Sequence, residues 1–471
     1  MVILRNYKFT FIVLFDFMLL LAAVIYKDYL IFLCAAVAGM FLLYYLMKSP
    51  VRLIYFQVFY NLFVKFAIGT LGVPSAANYL TDIITICIVI AALKRLCEEK
   101  GSSNIKLPMV IVIIFFFTTV AGLMINGQSI LLFLWGIRNN FRFYGFFFGC
   151  AVLLKKKDID FIINSIMYIS VINLLFCLYQ YNIQHYSVDN LGGIFGTNVG
   201  VNIYLNVFIC ITTVITVVRF IYQRLPAWQV VFTIFTNVYI SAIGELKVFY
   251  IEVAAIVLCL VLFFKPSRKT VLILISCAAG VYFGIQFFYT IFPSWQNFFR
   301  IDKIISSGQN YASSTDLGRF SAAKRVTDMF LSGDLYRLLF GLGLGSAEIS
   351  QVEVFTSNFY IDYGNYLHYT WLSQAFLLIE TGWIGLCCVA VFFISTAAAC
   401  FRIRKERHEY LSYCVMTQVF AVISCMLLIY NSTLRTEAGY LVYFFLSMPF
   451  ALYRNGALID ALGSEVNDGE N

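Results

Sequence analysis

The chain has 471 residues, of which 61% are hydrophobic and only 12% charged, and its mean hydropathy is +0.84. That much apolar surface excludes a water-soluble globular domain and requires a bilayer as solvent for most of the chain. The net charge of +8 does not indicate nucleic acid, because the basic residues are dispersed in short loops and form no stripe.

Arg5 and Lys8 precede an apolar run that resembles a signal peptide. No small-residue cleavage site follows, so the run reads as a retained first helix. Taking about 20 mostly apolar residues per crossing, spans are expected near residues 9–26, 29–47, 53–71, 79–93, 107–125, 134–154, 161–179, 199–218, 227–243, 248–264, 270–290, 376–401, 410–430 and 438–453. The expectation is an all-α polytopic membrane protein of about fourteen transmembrane helices. Residues 1–471 form a single membrane domain, residues 292–375 a large loop with amphipathic helices between the eleventh and twelfth spans, and residues 454–471 a polar tail, disordered from Gly463.

Alternate loops sort by charge. One set holds Lys48 and Arg52, then Lys94, Arg95, Lys100 and Lys106, then Lys155, Lys156 and Lys157, then Arg219 and Arg224, then Lys265, Arg268 and Lys269, then Arg402, Arg404, Lys405 and Arg407. The short loops of the other set hold almost no Lys or Arg. By the positive-inside rule the first set is cytoplasmic, with both termini, and the 292–375 loop lies outside. The 13 cysteines avoid that loop, and no Cys/His spacing suits a metal.

Ionisable residues at membrane depth mark function by default. Arg138, Arg142, Gly145 and Gly149 fall on one face of the sixth span. Two guanidiniums followed by two positions without side chains suit a polar groove for an anionic lipid headgroup. The alternative is that both arginines pair with Asp82 or snorkel outward. Residues 241–247, Ser-Ala-Ile-Gly-Glu-Leu-Lys, read as a tight hairpin that places Glu245 and Lys247 at the mouth and Glu252 deeper; a plain interfacial ion pair is the alternative. Lys65 and Asp16 are read as structural pairs.

In the long loop, residues 318–331 read as an amphipathic helix capped by Asp316, with Phe320, Ala323, Thr327 and Phe330 on one side. Such a helix would aim Arg319 and Arg325 at lipid phosphates; resting on anionic lipid is the alternative, and it applies to Lys324 and Arg337 as well. Gly341, Gly343 and Gly345 alternate in a stretch that is either a phosphate nest or a flexible turn. His368, just before the next span, is either structural or a proton carrier.

Together these features resemble the O-antigen polymerase and O-antigen ligase superfamily of bacterial membrane glycosyltransferases. The resemblance rests on the many spans with one large late loop, the Arg319 helix, the Gly341–Gly345 stretch, and His368 followed by Glu380-Thr-Gly-Trp-Ile-Gly-Leu386. It extends to Arg138 and Gly149, ten residues apart in between, and to the 241–247 hairpin. Tyr369 stands where the family usually has Asn after the His, and Lys247 where many members carry Arg. The departure beside His368 favours polymerase over ligase, and the one at Lys247 weakens bidentate phosphate binding.

The resemblance implies an inverting, metal-independent glycosyl transfer at the outer face of the bacterial cytoplasmic membrane, without a cofactor. The donor is a polysaccharide on undecaprenyl pyrophosphate, and the acceptor is the next lipid-linked repeat unit, or lipid A-core for a ligase. In this reading His368, Arg319 and Glu245 are catalytic, and Arg138, Arg142, Lys247, Arg325 and Arg337 bind the pyrophosphate. The partners are the lipid-linked oligosaccharide, membrane lipids and, for a polymerase, a chain-length regulator. A lipid-linked oligosaccharide flippase is a further alternative, although it would show two similar halves with buried charges in both.

Overall fold

The computed structural model describes residues 48–98, 106–222, 225–263, 268–293 and 315–468, with positions 39, 42, 44–46 and 296 besides. The expected spans at residues 9–26 and 29–47, together with Asp16, lie wholly or mostly outside these residues. Within them no strand occurs. The long helices are α1 (Pro50–Gly69), α2 (Leu80–Glu98), α3 (Lys106–Asn126), α4 (Ile130–Leu153), α5 (Lys156–Asn182), α6 (Asn202–Ile221), α7 (Ala227–Ile243), α8 (Lys247–Phe263) and α9 (Arg268–Ile291). Three short helices follow: α10 (Ala322–Val326), α11 (Leu335–Phe340) and α12 (Asn358–Leu367). The chain closes with α13 (Ser373–Glu406), α14 (Leu411–Tyr430) and α15 (Gly439–Asp468).

Every expected span from residue 53 onward falls on one of these helices, but the count of clear crossings is smaller. Among the described residues, seven helices are long and apolar enough to cross a membrane, in keeping with a helical membrane protein. Helix α4 is long enough but carries Arg138, Asn139, Asn140 and Arg142. Helices α7 and α8 have only 17 residues each, short of the usual spanning length.

Local chemistry sets several boundaries. Pro50 opens α1, where a missing N–H costs nothing. At the head of α5 the Lys155 N–H donates to Asp158 Oδ2 at 2.9 Å, one half of a capping box. Asp334 and Ser357 cap α11 and α12 by accepting from the N–H groups of Tyr336 and Tyr360. Beyond residue 454 the expected tail is instead a continuation of α15 to Asp468, which runs through Asn455-Gly456 and Gly463.

The helices pack in a bundle in which α4 lies between α2 and α15, and α13 between α3 and α14. Helix α6 is the most enclosed, with 94% of its apolar window buried. One end of the bundle carries the α1–α2, α3–α4, α5–α6, α7–α8 and α14–α15 connections and the segment 315–372. It is called the loop end below.

The segment 315–372 is ordered by its own small core. Leu317, Ala322, Val326, Leu331, Ala347, Leu367 and Tyr369 gather on the start of α13 at Phe376, Leu378 and Ile379. Full burial of side chains such as Val326 or Leu331 is worth about 1.5–3 kcal/mol each. The expected helix over residues 318–331 differs in detail. It begins at Ala322, passes into a π turn over Thr327–Leu331, and buries Ala322, Val326 and Leu331. Phe320 is exposed. Asp316 does not cap it, because its carboxylate is engaged elsewhere.

The glycine-rich stretch is not an anion nest. Its N–H groups are used inside the fold: Leu342 donates to the Ile379 carbonyl at 2.7 Å and Gly343 to the Glu380 carbonyl at 3.0 Å. This docking lands on a kink in α13 at Gly382, where φ is 62°. A Cβ on Gly341 (φ 70°) would sit 2.6 Å from the Gly382 nitrogen, and one on Gly382 would sit 2.5 Å from the Gly341 nitrogen. Two backbones meet there without room for a methyl group, in conformations that side chains rarely adopt. Gly382→Ala is therefore expected to cost about 2 kcal/mol or more. Gly39→Ala, whose Cβ meets no described residue within 4 Å, should cost far less; thermal unfolding of both variants in detergent checks the difference.

Candidate functional site

Four groups of polar residues stand at or near the loop end. The first is a chain of alternating charge. Arg138 of α4 donates through Nε to Asp82 Oδ2 at 2.9 Å, and its Nη2 contacts the same oxygen. Arg142, one turn further along α4, reaches Asp82 Oδ1 at 3.5 Å and Glu437 Oε1 at 3.9 Å. Glu437, in the α14–α15 connection, receives Lys65 Nζ of α1 at 3.0 Å and the Tyr204 hydroxyl of α6 at 2.8 Å. Burial alone would raise the Glu437 carboxyl, but Lys65 and Arg142 outweigh it and hold it at about 2. Arg142 also donates to the Arg435 carbonyl at 3.3 Å.

The sequence alternative for these arginines is thus the arrangement found: both face Asp82. The expected groove on the same helix face is filled. Gly145 lies against Val89 and Gly149 against Ile88, where a Cβ would come within 3.1 and 2.1 Å of the neighbouring methyl groups. The two glycines serve the close approach of α2 to α4. The exposed side of Arg138 is covered by aromatic rings, with Trp135 at 4.6 Å and Tyr79 at 4.9 Å. Phe355 stacks on Trp135 with centroids 4.4 Å apart.

The second group joins the loop to the bundle. Arg435 Nη2 contacts Glu348 Oε1 at 3.2 Å, with Glu348 buried and Arg435 largely enclosed. Burial raises the Glu348 carboxyl against the pull of Arg435, and burial lowers the Arg435 guanidinium against the pull of Glu348. Glu380, fully buried on α13, accepts from the Ala347 N–H at 3.2 Å through Oε1. The Tyr369 hydroxyl donates to the Ala347 carbonyl at 2.7 Å.

The third group contains His368, with backbone in the left-handed region at the end of α12. Its Nδ1 lies 2.8 Å from Asp316 Oδ1, and its ring stacks on Trp371 at 4.1 Å. Asp316 is buried, whereas the His368 side chain keeps 32% of its surface exposed. A buried carboxylate on Nδ1 fixes that nitrogen as the N–H and leaves Nε2 as the basic atom. Arg325 Nη1 and Nη2 donate to the carbonyls of Asp316 and Thr315 at 2.6 and 3.2 Å, which fastens the carboxylate's own backbone. The Leu317 N–H donates to the Leu367 carbonyl at 3.1 Å, and Gln374 donates to the Arg319 carbonyl. Arg319 and His368 therefore belong to two strips of chain that are tied together. The Arg319 guanidinium lies over the Tyr430 ring at 4.2 Å and donates to the Tyr430 carbonyl at 3.3 Å.

The fourth group is the 241–247 hairpin. Glu245, at φ 53°, pairs with Lys247 at 2.7 Å. Lys247 is also within electrostatic range of Arg319 and Asp189. Glu252 is separate and deeper. Arg337 stands apart from all four groups, more than half exposed on α11 and beside Asp334 at 3.8 Å.

Sequence reasoning passed over Glu348, Arg435 and Glu437 and misassigned Asp316. A signal existed for two of them. Arg435 and Glu437 lie two residues apart in a short connection of the set that otherwise holds almost no Lys or Arg. Nothing in the sequence pairs Asp316 with His368, 52 residues later.

Chemically, the charge chain is a fixed, self-compensated scaffold. The His368–Asp316 pair supplies a base at a partly open surface, and Arg319 supplies a cation on the strip of chain tied to it. No protein-family model matches the chain, and no curated protein matches it.

Glu437 contributes stability through its depressed carboxyl. That contribution is present above its ordinary value of 4.5 and is lost as pH falls toward about 2. Glu437→Gln should lower thermal stability at neutral pH, by about 3–5 kcal/mol for a broken buried pair. It should also flatten the acid limb of a stability-versus-pH curve measured in detergent.

Proposed function

We propose that this chain is a bacterial inner-membrane glycosyltransferase that polymerises polysaccharide repeats carried on undecaprenyl pyrophosphate. In this reading about fourteen helices cross the bilayer. The loop end faces away from the cytoplasm, because Lys94, Arg95, Lys155–Lys157, Arg402, Arg404, Lys405 and Arg407 belong to connections at the other end.

The observation that carries the reading is the Asp316–His368 pair at 2.8 Å, with Arg319 on a strip of chain tied to that of His368. Polymerisation needs an acceptor hydroxyl made nucleophilic and a leaving pyrophosphate made stable. The hydroxyl oxygen of the incoming repeat attacks the anomeric carbon of the donor from the face opposite the pyrophosphate. The C–O bond to the pyrophosphate breaks and its electron pair goes to the phosphate oxygen. The hydroxyl proton passes to His368 Nε2, while Asp316 stabilises the imidazolium through Nδ1–H. Arg319, with Lys247 in electrostatic range, answers the charge that grows on the leaving group.

The other arginines take different parts from those first expected. Arg325 positions Asp316. Arg138 and Arg142 hold the helices that frame the site, since their donors already meet carboxylates and a carbonyl. Arg337 is left to contact lipid headgroups. Glu245 holds Lys247 in place at the mouth.

The test is a ladder assay. Purified protein receives lipid-linked repeat units extracted from a native strain lacking it, with EDTA present. The wild-type chain is expected to build a polymer ladder. His368→Ala should slow it by about 100-fold or more, the usual weight of a general base, and Arg319→Ala by a similar factor. Transfer onto lipid A-core without a ladder would identify a ligase. Neither product, with repeat units trapped on the cytoplasmic side of cells lacking the protein, would identify a flippase.

A further inference from the structure

Glu252 lies five residues into α8 and has no exposed surface. Both of its carboxyl oxygens lie 3.0 Å from Asn206 Nδ2 of α6. Cys210, one turn along α6, lies near the same carboxyl. Helix α8 packs on α6, α7, α9 and α14. Of these, α7 and α14 contain no charged residue, and the basic residues of α6 and α9 (Arg219, Arg268 and Lys269) lie at the ends remote from Glu252. On α8 itself Lys247 is taken by Glu245, and the Tyr250 hydroxyl donates to the Gly284 carbonyl. Among the described residues, Cys210 is the titratable group that acts on Glu252 beside Asn206.

The contrast with the carboxylates of the charge chain is direct. Asp82 meets two arginines and Glu437 meets a lysine and an arginine, whereas Glu252 meets an amide. A buried carboxylate without a cation is costly. Asn206 Oδ1 is also buried and has no donor, a second cost. One proton removes both. With the Asn206 amide turned about its last bond, the acid O–H of Glu252 donates to Oδ1 and an Nδ2–H donates to the other carboxyl oxygen, a neutral reciprocal pair. The two amide orientations occupy the same space.

We propose that Glu252 and Asn206 form a proton-binding site between α6 and α8, with Glu252 held as the carboxylic acid and Cys210 as its second contact. The site stands apart from Asp316, His368 and Arg319 and is independent of the reading of the activity. Polar groups continue from it along α6: Asn237 of α7 donates to the Thr212 and Thr213 hydroxyls at 2.9 Å each.

Isotope-edited infrared spectroscopy tests the site on the full chain in lipid nanodiscs, with glutamate carrying a labelled side-chain carboxyl. At neutral pH, Glu252→Gln is expected to remove one carboxylic-acid C=O band and leave the carboxylate region unchanged. Loss of a carboxylate band with an unchanged acid region would overturn the proposal. Should Glu252→Gln fail to fold, Asn206→Leu gives the same decision. It should shift one acid band upward as the hydrogen bond is lost, whereas a change confined to the carboxylate region would overturn the proposal.

Discussion

Lys65, Glu437, Arg142, Asp82 and Arg138 alternate in sign, and each neighbouring pair is in contact. They come from α1, the α14–α15 connection, α4 and α2, elements that are far apart in the chain. A charge buried without its partner costs several kcal/mol, so no member can leave while the others stay. Sliding α4 by one turn, about 5.4 Å, would carry Arg138 into the place of Arg142 and leave Arg142 buried without a carboxylate. The register of the loop end is therefore fixed electrostatically, where an all-apolar interface would tolerate slippage.

The loop segment depends on that frame. Arg435 sits two residues before Glu437 and carries its own charge to Glu348, so the chain of ions continues into the segment above it. Trp135 and Phe355 add a stacked contact from the side, over Arg138. At the opposite edge the glycine-rich stretch hydrogen-bonds to the carbonyls exposed at the α13 kink. These contacts come from three directions and hold the segment against the bundle. That rigidity is what allows Asp316 to stay at 2.8 Å from His368. A base held by a buried carboxylate needs its supports fixed to well under an ångström.

Much of this was legible as categories of residue. Arg138 and Arg142 stood out because arginines inside an apolar helix are costly, and Asp82 was one of the partners weighed for them. Glu245 and Lys247 form the plain ion pair that the sequence offers only as the alternative at the hairpin mouth. The groove expected beside Gly145 and Gly149 was not there, because small residues on a helix face serve close packing as readily as ligand binding, and Ile88 and Val89 fill the space. Likewise alternate glycines at 341–345 permit a nest but equally permit one backbone to lie on another. Sequence spacing does not distinguish the two, since both need only the absence of Cβ.

Apolar runs, charge alternation in loops and single buried ions are local properties, written within about twenty residues, and from them the sequence by itself determined the helical fold and the position of the long helices described here, though not of the short ones over 335–340 and 358–367. Pairing is not local. Which of the carboxylates meets a cation, and which meets only an amide, depends on the rotation and depth of helices set by the packing of the whole bundle. The tertiary structure alone decided that Asp316 turns from capping a helix to orienting His368, that Glu437 gathers Lys65 and Arg142, and that Glu252 is left with Asn206. The reason is physical: a charge costs little in a chain surrounded by water and much inside a fold, so its partner is chosen only when the fold closes around it.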